Sequence, residues 1–192
     1  MLFGDPRVFG IEAVLEPGPE FGPVDNNLIA GRIRIWMSDV AVGNFEEPLC
    51  YFRGIEAHLA ETAVALEGYW DTTFDGLEPD AIFDRLDYLT FAAHRHQCLD
   101  LLPNWDEVAY LSATRSFGNK DFSFLTNVSE AFDGWKVFLT RPPGDELLAI
   151  VLPESSDIIL SFHFPVYAFR QAVWNFSDWV REQELLLLIS PG

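Results

Sequence analysis

The acidic residues of this 192-residue chain stand singly among hydrophobic residues and are not gathered into a tail. There are 30 acids against 12 bases, which gives a formal net charge of -18, while 49% of the residues are hydrophobic. Because so much apolar material can form a core, the pattern predicts a folded protein with an acidic surface. Such a surface repels nucleic acid and anionic membranes and attracts basic proteins. The charge therefore predicts a basic protein partner, with neither nucleic acid nor membrane.

Alternating and helical hydrophobic patterns follow one another along the chain in blocks. Strands are predicted over residues 8–15, 28–37, 40–43, 107–113, 135–140, 147–152 and 158–162. Helices are predicted over residues 48–68, 80–93 and 165–185. The glycine at the end of the first helix, Gly68, suits a left-handed terminating position. This order predicts one α+β domain spanning residues 1–192, in which an antiparallel sheet has about three helices packed mainly on one face.

Three segments also predict which side chains share a face. In the 28–37 strand, Arg32 and Arg34 fall on the same side. The Asp133-Gly134 turn leads into the 135–140 strand, where Lys136 and Phe138 share a face. The last helix has an apolar stripe that predicts its buried side: Val166, Phe169, Val173, Phe176 and Val180.

The two cysteines, Cys50 and Cys98, are separated by a spacing that matches no metal or redox motif. Two free thiols are typical of a protein in a reducing cytosol. The first ten residues lack the basic and apolar regions of a signal peptide. The longest aliphatic run, residues 185–189, is far shorter than the roughly 20 residues of a transmembrane helix. A cytoplasmic location is predicted.

A cluster of potential metal ligands, His94, His96 and Cys98, would share a face on a strand but not on a helix. The residues before it have a helical pattern, and a zinc site needs a fourth ligand. Only His58 and His163 remain as further histidines. The pattern favours a polar helix end over a metal site.

The segment 71–76 is similar to the start of a calcium-binding loop. The EF-hand pattern requires Asp or Asn at its third position and Glu at its twelfth, where this chain has Thr73 and Ile82. A solvated acidic loop is therefore the favoured interpretation.

Sequence signatures of catalysis and of nucleotide binding are missing. The chain contains no Gly-x-Ser-x-Gly elbow, no phosphate-binding Gly-x-x-x-x-Gly-Lys loop and no dinucleotide fingerprint. The sequence predicts a protein that is not an enzyme and needs no cofactor. An enzyme with a metal site at His94 and His96 is kept as an alternative.

The densest acidic stretch, residues 61–87, contains a single base, Arg85, and several aromatic residues. Aromatic side chains within a charged rim are typical anchors of protein interfaces. The alternative is a solvated helix face with Trp70 packed in the core. The predicted partner-binding residues are Glu67, Trp70, Asp71, Asp75, Glu78, Asp80, Asp84 and Asp87.

Three short segments carry a family resemblance. The first is residues 2–12, with Gly4-Asp5-Pro6, the second is the strand 31–36, and the third is residues 130–139, with Asp133-Gly134 before an apolar strand. With the amphipathic helix around residues 169–180, they resemble the Imm42-type immunity proteins of bacterial polymorphic toxin systems.

The resemblance implies a protein that binds a cognate toxin, contact-dependent or secreted, and neutralises it by direct contact. It does not locate the contact surface, because the matched residues also have structural roles in turns and strands. An acidic mimic of nucleic acid, which would bind many basic proteins, is a further alternative.

Overall fold

A computed structural model of the protein describes residues 1–16, 29–46, 50–91, 122–126 and 128–189. Strands and helices occur there in the predicted blocks. Its described strands are β1 (Leu2–Asp5), β2 (Phe9–Leu15), β3 (Ala30–Met37), β4 (Val40–Val42), β5 (Cys50–Tyr51), β6 (Trp135–Thr140), β7 (Glu146–Pro153) and β8 (Leu160–Pro165). Its described α-helices are α1 (Phe52–Ala65), α2 (Pro79–Phe91) and α3 (Val166–Ile189).

The strands form two antiparallel sheets. The first has the order β1-β2-β3-β4, with β5 paired to β3, and the second has the order β6-β7-β8. The predicted α+β class is confirmed. The finer arrangement differs from the prediction, because the strands divide between two sheets where the sequence indicated one.

The first sheet covers the main core with one of its faces. Along β3, Ile33 and Ile35 are buried, whereas Arg32 and Arg34 lie on the opposite, half-exposed face as predicted. Helix α3 packs on this sheet and on α1. Its predicted stripe is confirmed, since all five residues are buried: Val166, Phe169, Val173, Phe176 and Val180.

The second sheet is covered on both faces, and this arrangement positions the candidate site. Consecutive residues of β7 are buried: Leu147 and Ala149 belong to the main core, whereas Leu148 and Ile150 belong to a second cluster with α2. A continuous apolar run is typical of a strand that is covered on both sides. The prediction that the helices pack mainly on one face therefore does not hold for α2, which lies on the opposite face of this sheet.

The ends of several elements differ from the predictions. Helix α1 begins only at Phe52, because Cys50 and Tyr51 pair with β3. It ends at Ala65 and is followed by a 3-10 turn, Leu66–Gly68. Contrary to the prediction, Gly68 does not adopt a left-handed backbone conformation. The short strand β1, which pairs with β2, was not predicted. The predicted strand 107–113 lies outside the described residues.

No helix in the described ranges has both the length and the apolar composition that crossing a membrane requires.

Candidate functional site

Helix α2 carries two of the acidic residues of the candidate site, Asp84 and Asp87. Pro79 occupies its first position, where the missing N–H costs nothing, and Asp80 lies in the first turn, where the helix dipole favours an acid. The apolar face of α2 is buried through Ile82, Phe83 and Leu86. The ring of Phe83 packs edge-on against Phe138 of β6 at 5.3 Å between centroids. The acids of α2 are thereby held at the edge of the second sheet.

A groove of about 610 Å³ lies between α2, the β6–β7 hairpin and the segment that follows β7. Apolar side chains line part of it: Phe83, Trp135, Leu152 and Ile159. Five acids also line it: Asp84, Asp87, Asp133, Glu154 and Asp157. The groove therefore combines an apolar lining with a strongly negative charge.

Lys136 is the one base among the described residues that line the groove, and its amine donates a hydrogen bond to Asp87. Both side chains of this ion pair are partly buried. The other four groove acids have no base within ion-pair distance among the residues that the structure describes: Asp84, Asp133, Glu154 and Asp157. Most of the negative charge of the groove is therefore not compensated within the described chain.

The surroundings of Asp84 oppose its ionisation. Burial raises the pKa of its carboxyl above the ordinary value, and the carboxylates of Asp80 and Asp87 raise it further. A positive charge brought near Asp84 would favour its ionised form.

The predicted partner-binding residues do not form one continuous free surface. Asp84 and Asp87 line the groove, and Glu78 and Asp80 are exposed at the start of α2. Glu67 lies in the 3-10 turn after α1, where it forms an ion pair with Arg141. The hydrogen bond from Arg141 lowers the pKa of Glu67 below its ordinary value.

The remaining three predicted residues hold the loop before α2. Asp71 is buried, and its carboxylate accepts a hydrogen bond from the backbone N–H of Thr73 at 2.9 Å. Asp75 accepts a hydrogen bond from the indole N–H of Trp70 at 2.9 Å. The indole of Trp70 also packs edge-on against Phe74, at 5.4 Å between centroids. These contacts give Asp71, Asp75 and Trp70 structural roles in the loop, and Trp70 is half-buried against the second cluster.

Sequence reasoning missed three acids of the groove, Asp133, Glu154 and Asp157. The pairing of β6 with β7 sets Trp135 opposite Pro153, and the backbone N–H of Glu154 donates to the carbonyl oxygen of Gly134 at 2.7 Å. This register places Asp133 and Glu154 at the same end of the hairpin. Pairing the two predicted strands 135–140 and 147–152 as a hairpin would have brought these acids together.

The proposed metal ligands His94, His96 and Cys98 lie outside the described residues. Within the described ranges, no group of three or more His, Cys, Asp or Glu side chains is arranged to hold a metal ion.

Comparison with known proteins bears on the fold. No protein-family model and no curated protein matches the chain. The structure of CdiI from Burkholderia dolosa AUO158 is similar, with a TM-score of 0.57 and 14% sequence identity. The match covers 91% of this chain and 97% of that protein. At this identity the likeness is one of fold, and no family match accompanies the resemblance to the Imm42 type.

Proposed function

We propose that this protein is an immunity protein, which binds a cognate bacterial toxin domain in the cytoplasm of the cell it protects and neutralises it by direct contact. The observation that carries the proposal is the fold, which is similar over 91% of the chain to CdiI, a contact-dependent growth inhibition immunity protein. The segments that resemble Imm42-type immunity proteins support the same role. Neutralisation by contact requires neither catalysis nor a cofactor.

The charge supports a basic toxin domain as the partner. With a net charge of -18, the protein attracts positively charged surfaces at long range. Electrostatic steering of this kind speeds association by about 10–10³-fold at low salt, and the effect weakens as ionic strength rises. Rapid association suits an inhibitor that must reach its toxin before damage is done.

The contact surface that we propose is centred on Glu78, which precedes α2, and on Asp80 and Asp84 in the first turns of α2. Glu78, Asp80 and Asp84 have no base within ion-pair distance in the described part of the chain, so a partner's bases can pair with them. By contrast, Asp71 and Asp75 are already bonded within the preceding loop.

Capture and growth protection together test the function. Tagged protein, used as bait in an extract of the organism that encodes it, is expected to retain one stoichiometric partner with a toxin domain. Expression of that domain should arrest bacterial growth, and co-expression of this protein should restore it. A mixture of unrelated basic proteins that moderate salt releases, with no growth protection, would instead identify an acidic mimic of nucleic acid.

Association kinetics with the captured domain test the proposed surface. The variant Glu78→Lys/Asp80→Lys should lower the association rate by about tenfold or more at low salt, because it reverses charge where the partner approaches. The control Asp145→Lys/Glu182→Lys makes the same change in net charge at exposed positions outside the surface. Equal slowing in both variants would show that only net charge matters and would remove α2 from the proposal.

A further inference from the structure

We propose that the groove between α2 and the β6–β7 hairpin receives an arginine side chain from a protruding basic segment of the bound protein. This inference rests on the proposed function and adds to it the part of the partner that is recognised. A peptide segment suits the groove, because the groove offers carboxylates for a cation and apolar contact for the stem of its side chain.

The charge of the groove is complementary to that of an arginine side chain. The amine of Lys136 is engaged by Asp87, which leaves Asp84, Asp133, Glu154 and Asp157 without a base in the described chain. Carboxylates held close together repel one another, so a cation placed among them is favoured. Burial is the main cause of the raised pKa of Asp84, and the carboxylates of Asp80 and Asp87 add to it.

The size and lining of the groove also favour an arginine side chain. A volume of about 610 Å³ falls within the 300–1,000 Å³ of ordinary ligand clefts, so the groove can accommodate a side chain. Leu152 lines it beside the acids, as does Trp135, which also packs against the main core. An arginine fits this lining better than a lysine, because its planar guanidinium stacks on aromatic rings and pairs with carboxylates in a bidentate way.

The chain itself contains an arginine, Arg34, that packs on aromatic rings and pairs with a carboxylate. On the outer face of the first sheet, the guanidinium of Arg34 lies 4.5 Å from the ring centroid of Trp36 and 4.4 Å from that of Phe45. Its Nε donates to the carboxylate of Glu12 at 2.8 Å. We expect the groove, with Trp135 near Asp133 and Glu154, to hold an arginine in a comparable setting.

The test uses a short peptide of alternating glycine and arginine as the probe, with a peptide of glycine and citrulline as its neutral counterpart. NMR titration of the ¹⁵N-labelled protein should show the largest amide shifts around Gly134, Trp135 and Asp157 with the arginine peptide and none with the citrulline peptide. Shifts spread evenly over the acidic surface, or equal binding of both peptides, would overturn the proposal.

Matched variants make the test specific. The variant Asp133→Asn/Glu154→Gln/Asp157→Asn should weaken binding of the arginine peptide by about tenfold or more, since three charge pairs are lost. The control variant Asp145→Asn/Asp178→Asn/Glu182→Gln removes the same number of charges elsewhere and should change the affinity by less than about twofold. Equal weakening in the two variants would refute a specific groove. Both variants are isosteric, and a dispersed NMR spectrum establishes that each is folded.

Failure of this inference can be told apart from failure of the proposed function. The peptide titration needs no toxin, so its outcome does not depend on whether a partner is captured. If the groove variant still binds the captured toxin domain and still protects growth as the unmodified protein does, the function stands and the groove is not its contact.

Discussion

The side-chain amine of Lys136 on β6 donates a hydrogen bond to the carboxylate of Asp87 on α2, and this pair ties the helix to the outer face of the second sheet. Sheet and helix also meet there through Phe138 and Phe83. The pair therefore holds one wall of the groove in place and neutralises one of its five acids.

Replacing Lys136 with methionine tests both consequences of this pair. The methionine keeps an apolar stem but leaves Asp87, with its side chain only 19% exposed, without the amine. We expect the free energy of unfolding to fall by about 1–3 kcal/mol, because a partly buried carboxylate loses its counter-charge. Urea denaturation at neutral pH measures the change. The same variant should bind the arginine peptide more tightly, since the groove becomes more negative.

The exposed pair of Arg7 and Asp5 supplies the control. Arg7→Met breaks an ion pair whose partners, 2.8 Å apart, lie in solvent. Solvent screening makes such a pair contribute little, so this variant should lose less stability than Lys136→Met. Similar losses in the two variants would contradict the special role of the Lys136 pair.

The raised pKa of Asp84 predicts a pH-dependent gain in stability from Asp84→Asn. Above its folded-state pKa, the carboxyl of Asp84 is ionised. Burial and the carboxylates of Asp80 and Asp87 make this negative charge unfavourable in the folded protein. The amine of Lys136 does not relieve it, because that amine is paired with Asp87. The unfolded chain does not bear this cost. The cost is therefore present at neutral pH and disappears as the pH falls below the ordinary value of 3.8.

Urea denaturation at two pH values tests this sign. Asp84→Asn should raise the free energy of unfolding near pH 7 and change it little near pH 3. Asp145→Asn, at an exposed position away from the groove, is the control. A gain of equal size at both pH values would mean that removal of the charge is not its source.

Sequence patterns correctly predicted those strands and helices whose hydrophobic periodicity matches the face that they bury. Strand β6 spans the predicted residues, and its alternation correctly placed Lys136 and Phe138 on one face. The pattern could not identify what covers that face, because α2 is distant in sequence. For the same reason it predicted a single sheet, whereas the continuous burial of β7 depends on layers from two parts of the chain.

The candidate site was predicted only in part, because charge density along a sequence finds neighbours in the chain and not neighbours in space. The density of acids along the sequence identified Asp84 and Asp87 but not Asp133 and Glu154, which the hairpin register brings to the same groove. Nor can composition distinguish an acid that faces solvent from one that caps a turn, as Asp71 does.

Glu56 of α1 provides a prediction about the packing of α1 against α3. It is only 3% exposed, and its carboxylate lies 3.3 Å from Arg53 and 3.7 Å from Arg181 of α3. Glu56→Gln keeps the shape but removes the charge that both guanidinium groups face. We expect the free energy of unfolding to fall by roughly 1–2 kcal/mol in urea denaturation. The exposed Glu182→Gln should change it by less than about 0.5 kcal/mol, and similar values for the two would contradict the prediction.

The close approach of β2 and β3 makes Gly31 the most size-restricted position that we propose to test. A Cβ atom added there would lie 1.9 Å from the carbonyl oxygen of Val14 and 2.9 Å from the ring of Phe52. Gly31→Ala must therefore separate the strands or displace Phe52 from the core, and we expect a loss of about 3 kcal/mol or more.

The same substitution at Gly54, inside α1, is the matched control, because a Cβ atom there meets nothing within 4 Å apart from its chain neighbours and the backbone of its own helix. Alanine favours a helix over glycine, so Gly54→Ala should stabilise the protein by about 0.5–1 kcal/mol. Urea denaturation of the two variants measures both changes. If Gly31→Ala is too unstable for a full urea curve, thermal melting of the freshly purified variant measures its loss of stability. A gain in stability for Gly31→Ala, like the gain expected for Gly54→Ala, would contradict the close packing around Gly31, because that packing is what makes alanine unfavourable there.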